Sequence, residues 1–593
     1  MKRSLPGLRI IALIAICPII LSARAGTQEA APGSVPEKDR TAVLDSRDYL
    51  QRLEKLGFAG AVLVARNGAL LLAEGYGLAD RERGLPWTPA TVSSIGSITK
   101  QFTAAAILKL EEEGRLRVTD PISSYFKDVP ADKAGITLHH LLTHSSGLLD
   151  PEEIGDYDPI GREDYVRKVL AQKLAFPPGE GYEYANANFS LLGVIIEQLS
   201  GGSYESYLHE KLFLPCGMRE TGYLLPRWGE GRVAQGYRGN QRWGTILERP
   251  FDKDGPYWAL RANGGIHSTC NDMFLWARAL MEGKILSPES MKKYWTPHVS
   301  EGGDTFYGYG WSIATAPGGL KVVTHNGGNG IFFADMAMVP DAGLVIFLMT
   351  NVVADVPGAN SLLDKIRGRF LSGRPYPEVP DAKAVPEESL KSLVGTYVLA
   401  EDGGRIDVAV EGRGLVLEPA GQKAFSLLHS VEAVPPGRFE QLNRLMDRII
   451  AANRTGDFGP LSEAYGGRVP VDRIRERWRE ITGTIEGRNG RILRHEILGT
   501  ARTTERDETV VRFVCEKGSA ERTYVWAADQ EASLMGMSMR GLPVRLRFVP
   551  EGGTVFASWD GGLRPSKRLR FEPDADGRMI LKLGAEGPAA VRK

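Results

Sequence analysis

Residues 93–102 read Ser-Ser-Ile-Gly-Ser-Ile-Thr-Lys-Gln-Phe and run straight into Thr103-Ala-Ala-Ala-Ile-Leu-Lys-Leu-Glu-Glu-Glu-Gly114. The second segment is rich in helix formers, is apolar over most of Phe102 to Leu110, and ends on a glycine suited to a C-terminal cap. Positions three apart share one helix face, so Ser97 and Lys100 can touch. A lysine set among apolar side chains is costly to keep charged, and a neutral amine can take the proton of a serine hydroxyl. The serine stands in the first helical turn, where free N–H groups and the helix dipole favour developing negative charge. Gly96 leaves room for close approach of a substrate. The same Ser-x-x-Lys pattern recurs at Ser124…Lys127 and Ser290…Lys293. Only Ser97 combines apolar helix, preceding glycine and suitable partners downstream.

The chain of 593 residues has room for roughly two to four domains. Charged residues make up 25% of it, with 73 Lys+Arg against 73 Asp+Glu. That balance argues against nucleic-acid binding, which normally needs a basic surplus. Residues 1–25 have the form of a secretory signal: Lys2, Arg3 and Arg9, an apolar run from Ile10 to Leu21, then Ala23-Arg-Ala25. Lipid attachment at Cys17 is the less favoured reading, because the apolar run continues beyond it. Cleavage would remove Lys2, Arg3, Arg9 and Arg24 and take the net charge from 0 to −4. An exported protein is therefore expected, periplasmic or secreted, with no transmembrane helix in the mature chain. Cys216, Cys270 and Cys515 are too few and too widely spaced for a disulfide framework, and no zinc pattern is present.

Residues 26–42 read as a tether, and Asp45 to Leu56 as an amphipathic helix. Two apolar runs around Asn67-Gly68 predict a β-hairpin. A largely helical stretch follows to about residue 290. Inside it, His139, His140 and His144 near Ser145 invite a Ser-His or metal reading. The favoured reading is a helix ending in a polar turn, whose His144 and Ser145 satisfy buried backbone groups. Tyr184-Ala-Asn186 lies in a turn-rich loop before an apolar helix, and glycine-rich segments stand at 262–269 and 307–311. Strands are then expected through His325-Asn326-Gly327, over Ile331 to Met338 and over Gly343 to Thr350. The order predicts an α+β domain over 43–371: an antiparallel sheet made from both ends and flanked by helices, with an inserted helical lobe. A site between sheet and lobe would gather Ser97, Tyr184 and His325.

Ser97-Ile-Thr-Lys100, Tyr184-Ala-Asn186 and His325-Asn326-Gly327, in that order, resemble the motifs of serine hydrolases of the beta-lactamase and penicillin-binding type. The branch is that of class C beta-lactamases, D-alanyl-D-alanine carboxypeptidases, D-aminopeptidases and related esterases. Leu141-Leu-Thr-His-Ser-Ser-Gly-Leu148, Pro177-Pro-Gly179 and Gly264-Gly265…Ser268 also look like landmarks of that family. The resemblance covers roughly residues 45–370 and implies a beta-lactamase/transpeptidase-like fold with acyl-enzyme chemistry. Ser97 would be the nucleophile, and Lys100 with Tyr184 would move its proton. Asn186 would bind the substrate amide and help hold Lys100. His325 and Gly327 would line the substrate, with His325 orienting either Tyr184 or a substrate carboxylate. The N–H groups of Ser97 and Gly328 would form an oxyanion hole, a device commonly worth about 3–4 kcal/mol. No metal or cofactor is implied. Where class C beta-lactamases usually carry Lys-Thr-Gly this chain has His325-Asn-Gly327, which lowers the expectation of beta-lactam hydrolysis.

The substrates expected are therefore D-amino-acid peptides, cell-wall-derived ones among them, or small esters. Weak beta-lactamase action and a non-catalytic penicillin-binding-like sensor are the alternatives. Oligomeric state is open. Beyond a proline-rich linker at 372–388, residues 389–435 and 540–593 resemble a lipocalin-like β-rich domain. Residues 436–539 resemble a cone-like α+β insertion within it. No catalytic constellation is visible in that third, and interaction or lid-forming modules are favoured over a second enzyme.

Overall fold

The structure, a computed structural model, describes residues 36–593 apart from 354–357, 400–403, 433, 504–505, 529–531, 539–540, 561–565 and 585–588. Residues 1–25, read above as a secretory signal, and residues 26–35 of the expected tether lie outside the described residues. The tether is not extended to residue 42 as expected: helix α1 spans Glu37–Lys55. Glu37 and Asp39 suit its positive N-terminal end. Asp39 is buried and pairs with Arg66 at 2.8 Å, and Ala42 and Val43 pack into the core. The opening turns of the helix therefore belong to the domain.

Strands β1 (Gly60–Arg66) and β2 (Ala69–Tyr76) form the hairpin at Asn67-Gly68, both of which have positive φ (49° and 78°). Helix α2 (Thr99–Glu112) follows, and α3 (Asn186–Ser200) and α4 (Cys270–Met281) belong to the helical stretch. Six strands close the domain: β3 (Val299–Gly302), β4 (Thr305–Tyr307), β5 (Ser312–Ala316), β6 (Leu320–Gly328), β7 (Phe333–Val339) and β8 (Leu344–Thr350). The eight make one antiparallel sheet in the order β3-β4-β5-β6-β7-β8-β1-β2, so strands from both ends of the domain meet where β1 pairs β8. Near-unbroken burial along β8 and β1 marks strands covered on both faces. Helix α2 is buried on nearly its whole surface from Thr99 to Leu108, which explains why its sequence shows an apolar run and no clear stripe.

After helix α5 (Leu362–Ser372) the proline-rich segment lies against the first domain. Tyr376 stacks on Tyr49 of α1 with ring centroids 4.3 Å apart, its hydroxyl meets Ser46 Oγ at 2.7 Å, and Val379 joins the domain core. Eight strands then close a barrel. Gly395–Leu399, Arg405–Glu411 and Gly414–Ala420 precede a large insertion, and five strands between Leu546 and Arg592 follow it. The insertion packs helices Arg438–Thr455, Gly459–Ala464 and Val471–Asn489 on a four-stranded antiparallel sheet around Trp478, Phe513 and Trp526. Trp559 of the barrel belongs to the core cluster of the first domain. Cys216, Cys270 and Cys515 are buried free thiols. Among the described residues no helix is long and apolar enough to cross a membrane.

Candidate active site

Ser97 lies in a single 3-10 turn, Gly96–Ile98, that leads into α2, so it precedes the regular helix by two residues. The turn faces the end of β6. A Cβ on Gly96 would come within 2.5 Å of Gly328 N, and one on Gly327 within 2.3 Å of Ser97 N. Two backbones therefore meet where no side chain fits, and this contact brings the N–H groups of Ser97 and Gly328 to the same place. Gly96 also has φ +51°, which favours glycine independently.

Lys100 is wholly buried, and desolvation brings its ammonium down from the usual lysine range to about 7, against an opposing pull from Asp150 and Asp156. Its Nζ lies 3.1 Å from Ser97 Oγ, 2.8 Å from Asn186 Oδ1 and 2.8 Å from the Asn263 carbonyl oxygen. The last two atoms can only accept. In the neutral amine both hydrogens are thus spoken for, and the lone pair is left for the Ser97 hydroxyl. Each acceptor is itself anchored. Asn186 is the first residue of α3, whose Asn186 and Ala187 N–H groups donate to the Asp150 carboxylate at 3.1 and 2.7 Å. Asn263 is pinned by its Nδ2, which donates to Ser190 Oγ and the Ala259 carbonyl at 2.9 and 2.8 Å.

Ser97 neighbours Tyr184 and partly offsets the effect of burial on its phenol. The tyrosine presents 38% of its surface to the cleft, while burial of the rest raises its phenol above the ordinary range and keeps it protonated. Lys100 Nζ stands 4.8 Å from the centre of its ring. Ser97, Lys100, Tyr184 and Asn186 thus lie together.

His325 is placed differently. Its Nδ1 donates to the Asn326 carbonyl at 2.6 Å, and its Nε2 accepts from the Tyr307 hydroxyl at 2.9 Å. Both nitrogens are therefore engaged away from Tyr184, whose ring centre is 6.3 Å distant. Burial and the nearby Lys100 lower its imidazolium to about 3, so the ring is neutral through the physiological range. The expected direct contact with Tyr184, or with a substrate carboxylate as a cation, is not what the geometry provides. The Tyr307 ring packs near both, 5.9 Å from that of His325 and 6.3 Å from that of Tyr184.

Three participants carried no signal strong enough to find. Asn263 contributes a backbone carbonyl, an atom every residue has. Tyr307 sits in the Tyr-Gly-Tyr-Gly-Trp segment, where nothing distinguishes it from a packing aromatic. Asp150 precedes the helix it caps by a long loop. Of the histidines, His140 accepts the Thr137 N–H at 3.2 Å as part of a capping box, and His139 meets the Tyr309 hydroxyl at 2.8 Å. Among the described residues no group of three His, Cys, Asp or Glu side chains could hold a metal. Of the two other Ser-x-x-Lys copies, Ser290…Lys293 is structural: Ser290 completes the cap made by Ser287, and Lys293 pairs with Glu111 at 2.9 Å.

The Beta-lactamase family profile matches residues 47–368. Penicillin-binding protein 4* of Bacillus subtilis (strain 168) is 31% identical over 415 residues, covering 65% of this chain and 91% of its own. The putative penicillin-binding protein PbpX of the same strain is 34% identical over 262 residues, covering 44% of this chain and 64% of its own. Among solved structures, the octameric penicillin-binding protein homologue from Pyrococcus abyssi superposes over 93% of this chain and 99% of its own, with a TM-score of 0.52 at 21% identity. The likeness of fold therefore continues through the C-terminal third.

Proposed function

Since the chain belongs to the beta-lactamase family of serine hydrolases, we propose that it is an exported acyl hydrolase that cleaves D-amino-acid peptides or small esters through a Ser97 acyl-enzyme. The observation that carries this reading is the hydrogen-bond inventory of Lys100: two obligate acceptors take both amine hydrogens and the lone pair faces Ser97 Oγ. Lys100 takes the Ser97 proton as Oγ attacks the carbonyl carbon. The oxyanion that forms is met by the N–H groups of Ser97 and Gly328, aligned by the Gly96–Gly327 contact. Tyr184, beside Ser97 and Lys100, hands a proton to the leaving amine or alkoxide and is resupplied from Lys100. Water then attacks the acyl-enzyme with the same pair as base, and Ser97 regains its proton. Asn186 holds the substrate amide and Lys100 together.

The neutral, doubly bonded His325 offers no positive charge to a substrate carboxylate. That favours substrates lacking a carboxylate next to the scissile bond, and disfavours beta-lactams. The test is covalent: incubation with a p-nitrophenyl ester or a fluorophosphonate, followed by intact-mass measurement, should show one adduct on wild type and none on Ser97→Ala. Hydrolysis of an uncharged ester and a carboxylate-bearing D-peptide should show parallel KM profiles between pH 6 and 8. An adduct retained in Ser97→Ala would end the proposal.

A further inference from the structure

His144 stands at the left-handed φ of +56° just after the short helix Leu138–Leu142, in a conformation that non-glycine residues rarely keep without a reason. It is wholly buried. The backbone N–H groups of the residues on either side of Tyr184 both end on it. The Glu183 N–H donates to the His144 carbonyl at 2.9 Å, and the Ala185 N–H donates to His144 Nδ1 at 3.2 Å. The imidazole itself lies against the Tyr184 ring, with centroids 4.3 Å apart and planes 31° from parallel. One residue thus grips the chain before Tyr184, the chain after it and the ring between.

The proton position on His144 follows from its neighbours. Leu148 N–H donates to Ser146 Oγ at 3.0 Å, so the Ser146 hydroxyl donates onward to Asn188 Oδ1 at 2.6 Å. That fixes the Asn188 amide, whose Nδ2 faces His144 Nδ1 at 3.1 Å. Nδ1 therefore accepts from two donors and the proton sits on Nε2, which is buried without a hydrogen-bond partner. Leaving that N–H unsatisfied is costly. A packing residue of the same size would avoid the cost, so the acceptor at Nδ1 is what the site retains.

We infer that His144, as a neutral Nδ1 acceptor, is a positioning residue that sets the Tyr184 hydroxyl on Ser97 and keeps the Tyr184 ring over Lys100. This rests on the acyl-enzyme reading above. Misplacing a reacting group by about 1 Å commonly costs about 10²-fold in rate. Tyr184 and Phe189 rings stand 4.8 and 5.7 Å from Lys100 Nζ, so a displaced Tyr184 also admits water to the lysine and lets its ammonium return toward the ordinary range.

Two variants separate the roles. His144→Phe keeps a ring and loses the acceptor. His144→Asn offers an amide oxygen near the Nδ1 position and tolerates left-handed backbone. On a small p-nitrophenyl ester, His144→Phe should lose about 10²-fold in kcat with KM changed less than about 3-fold, and the ascending limb of its pH–rate profile should move upward by about one unit or more. His144→Asn should recover at least about ten-fold of that kcat. In a Tyr184→Phe background the cost of either change should shrink to within about 3-fold, since a residue acting through the Tyr184 hydroxyl has nothing left to position. Circular dichroism and thermal melting establish which variants are folded, and should His144→Phe not fold, the His144→Asn cycle decides alone. Additive losses in the cycle, or a kcat loss with an unmoved pH limb, would overturn the inference while leaving Ser97 acylation intact. Loss of wild-type acylation itself would strike the underlying reading instead.

Discussion

Two interiors of this molecule exclude water and are filled with opposite chemistry. Between the sheet and the helical lobe lie Lys100, His144, Asn263, His325 and Tyr307, all at most 6% exposed. Most of their polar atoms are hydrogen-bonded, Lys100 Nζ to three partners, while His144 Nε2 has none. Inside the barrel lie Leu415, Leu417, Phe548, Phe556, Phe571 and Leu581, with the Tyr397 hydroxyl tied to the Leu393 carbonyl at 2.9 Å. Its aromatic rings stack edge to face, Phe571 against Tyr397 at 5.4 Å and Phe556 at 5.7 Å, leaving the middle full. Burial of apolar surface stabilises the second interior directly. In the first, burial is destabilising for the groups concerned and its effect is to change their proton affinities. The same physical operation builds a scaffold in one place and a reagent in the other.

The largest test of that contrast is Ser97→Ala, for which turnover should fall by at least about 10⁴-fold with no covalent adduct, measured by ester hydrolysis and intact mass. Ser290→Ala, which removes only part of a cap, should stay within about 2-fold of wild type in the same assay.

Lys100→Met should also abolish proton transfer, and it carries a second signature. Folded, Lys100 gives up its proton at about pH 7, whereas in the unfolded chain it keeps one up to about 10.4. The unfolded state therefore binds more protons between these values, and the lysine's penalty on stability lessens as pH rises through that window. Lys100→Met should accordingly melt higher than wild type at pH 7, with the gap closing toward pH 10. Wild-type kcat/KM should rise through about pH 7 as the amine loses its proton. A variant that melts lower at pH 7 would show that the site is not stressed by this charge.

In the barrel the expectation reverses. Phe571→Ala should cost about 3–5 kcal/mol in the denaturation of that domain and leave kcat unchanged. The smallest effect is expected from cutting the chain after Asp381, which keeps Tyr376 and Val379 in place: kcat/KM should remain within about 3-fold, provided loss of Trp559 does not loosen the first core. A larger fall would join the two interiors functionally.

Much of the first domain was legible because its signals are local. Asn67-Gly68 specifies a hairpin, three-residue spacing puts Ser97 beside Lys100, and a run of apolar residues marks Leu344–Thr350 as a strand. Tyr184 and Asn186 were found through the order of motifs. What escaped depends on long-range geometry. The state of His325 is set by Tyr307 and Lys100, which only the fold brings near it. The acceptor role of Asn263 belongs to a backbone atom. That strands on both sides of the inserted domain belong together was expected through resemblance alone; the pairing of Leu417 with Leu546 that helps close the barrel was not, because no periodicity spans such a gap. The grip of His144 on both flanks of Tyr184 was half visible: a residue satisfying buried backbone was expected, but not whose backbone.

The contact between Gly96 and Gly327 has a consequence in the language of genetic suppression. Most lesions in a packed core can be relieved by trimming whichever side chain is in the way. Here the atoms that a new Cβ would strike are Gly328 N, Ser97 N and the Ile95 carbonyl oxygen, all of them main chain. Nothing opposite can be made smaller. An alanine at either position should leave Ser97, Lys100 and Tyr184 intact in sequence yet yield no second-site revertants around the cleft, so that activity returns only when the glycine itself does.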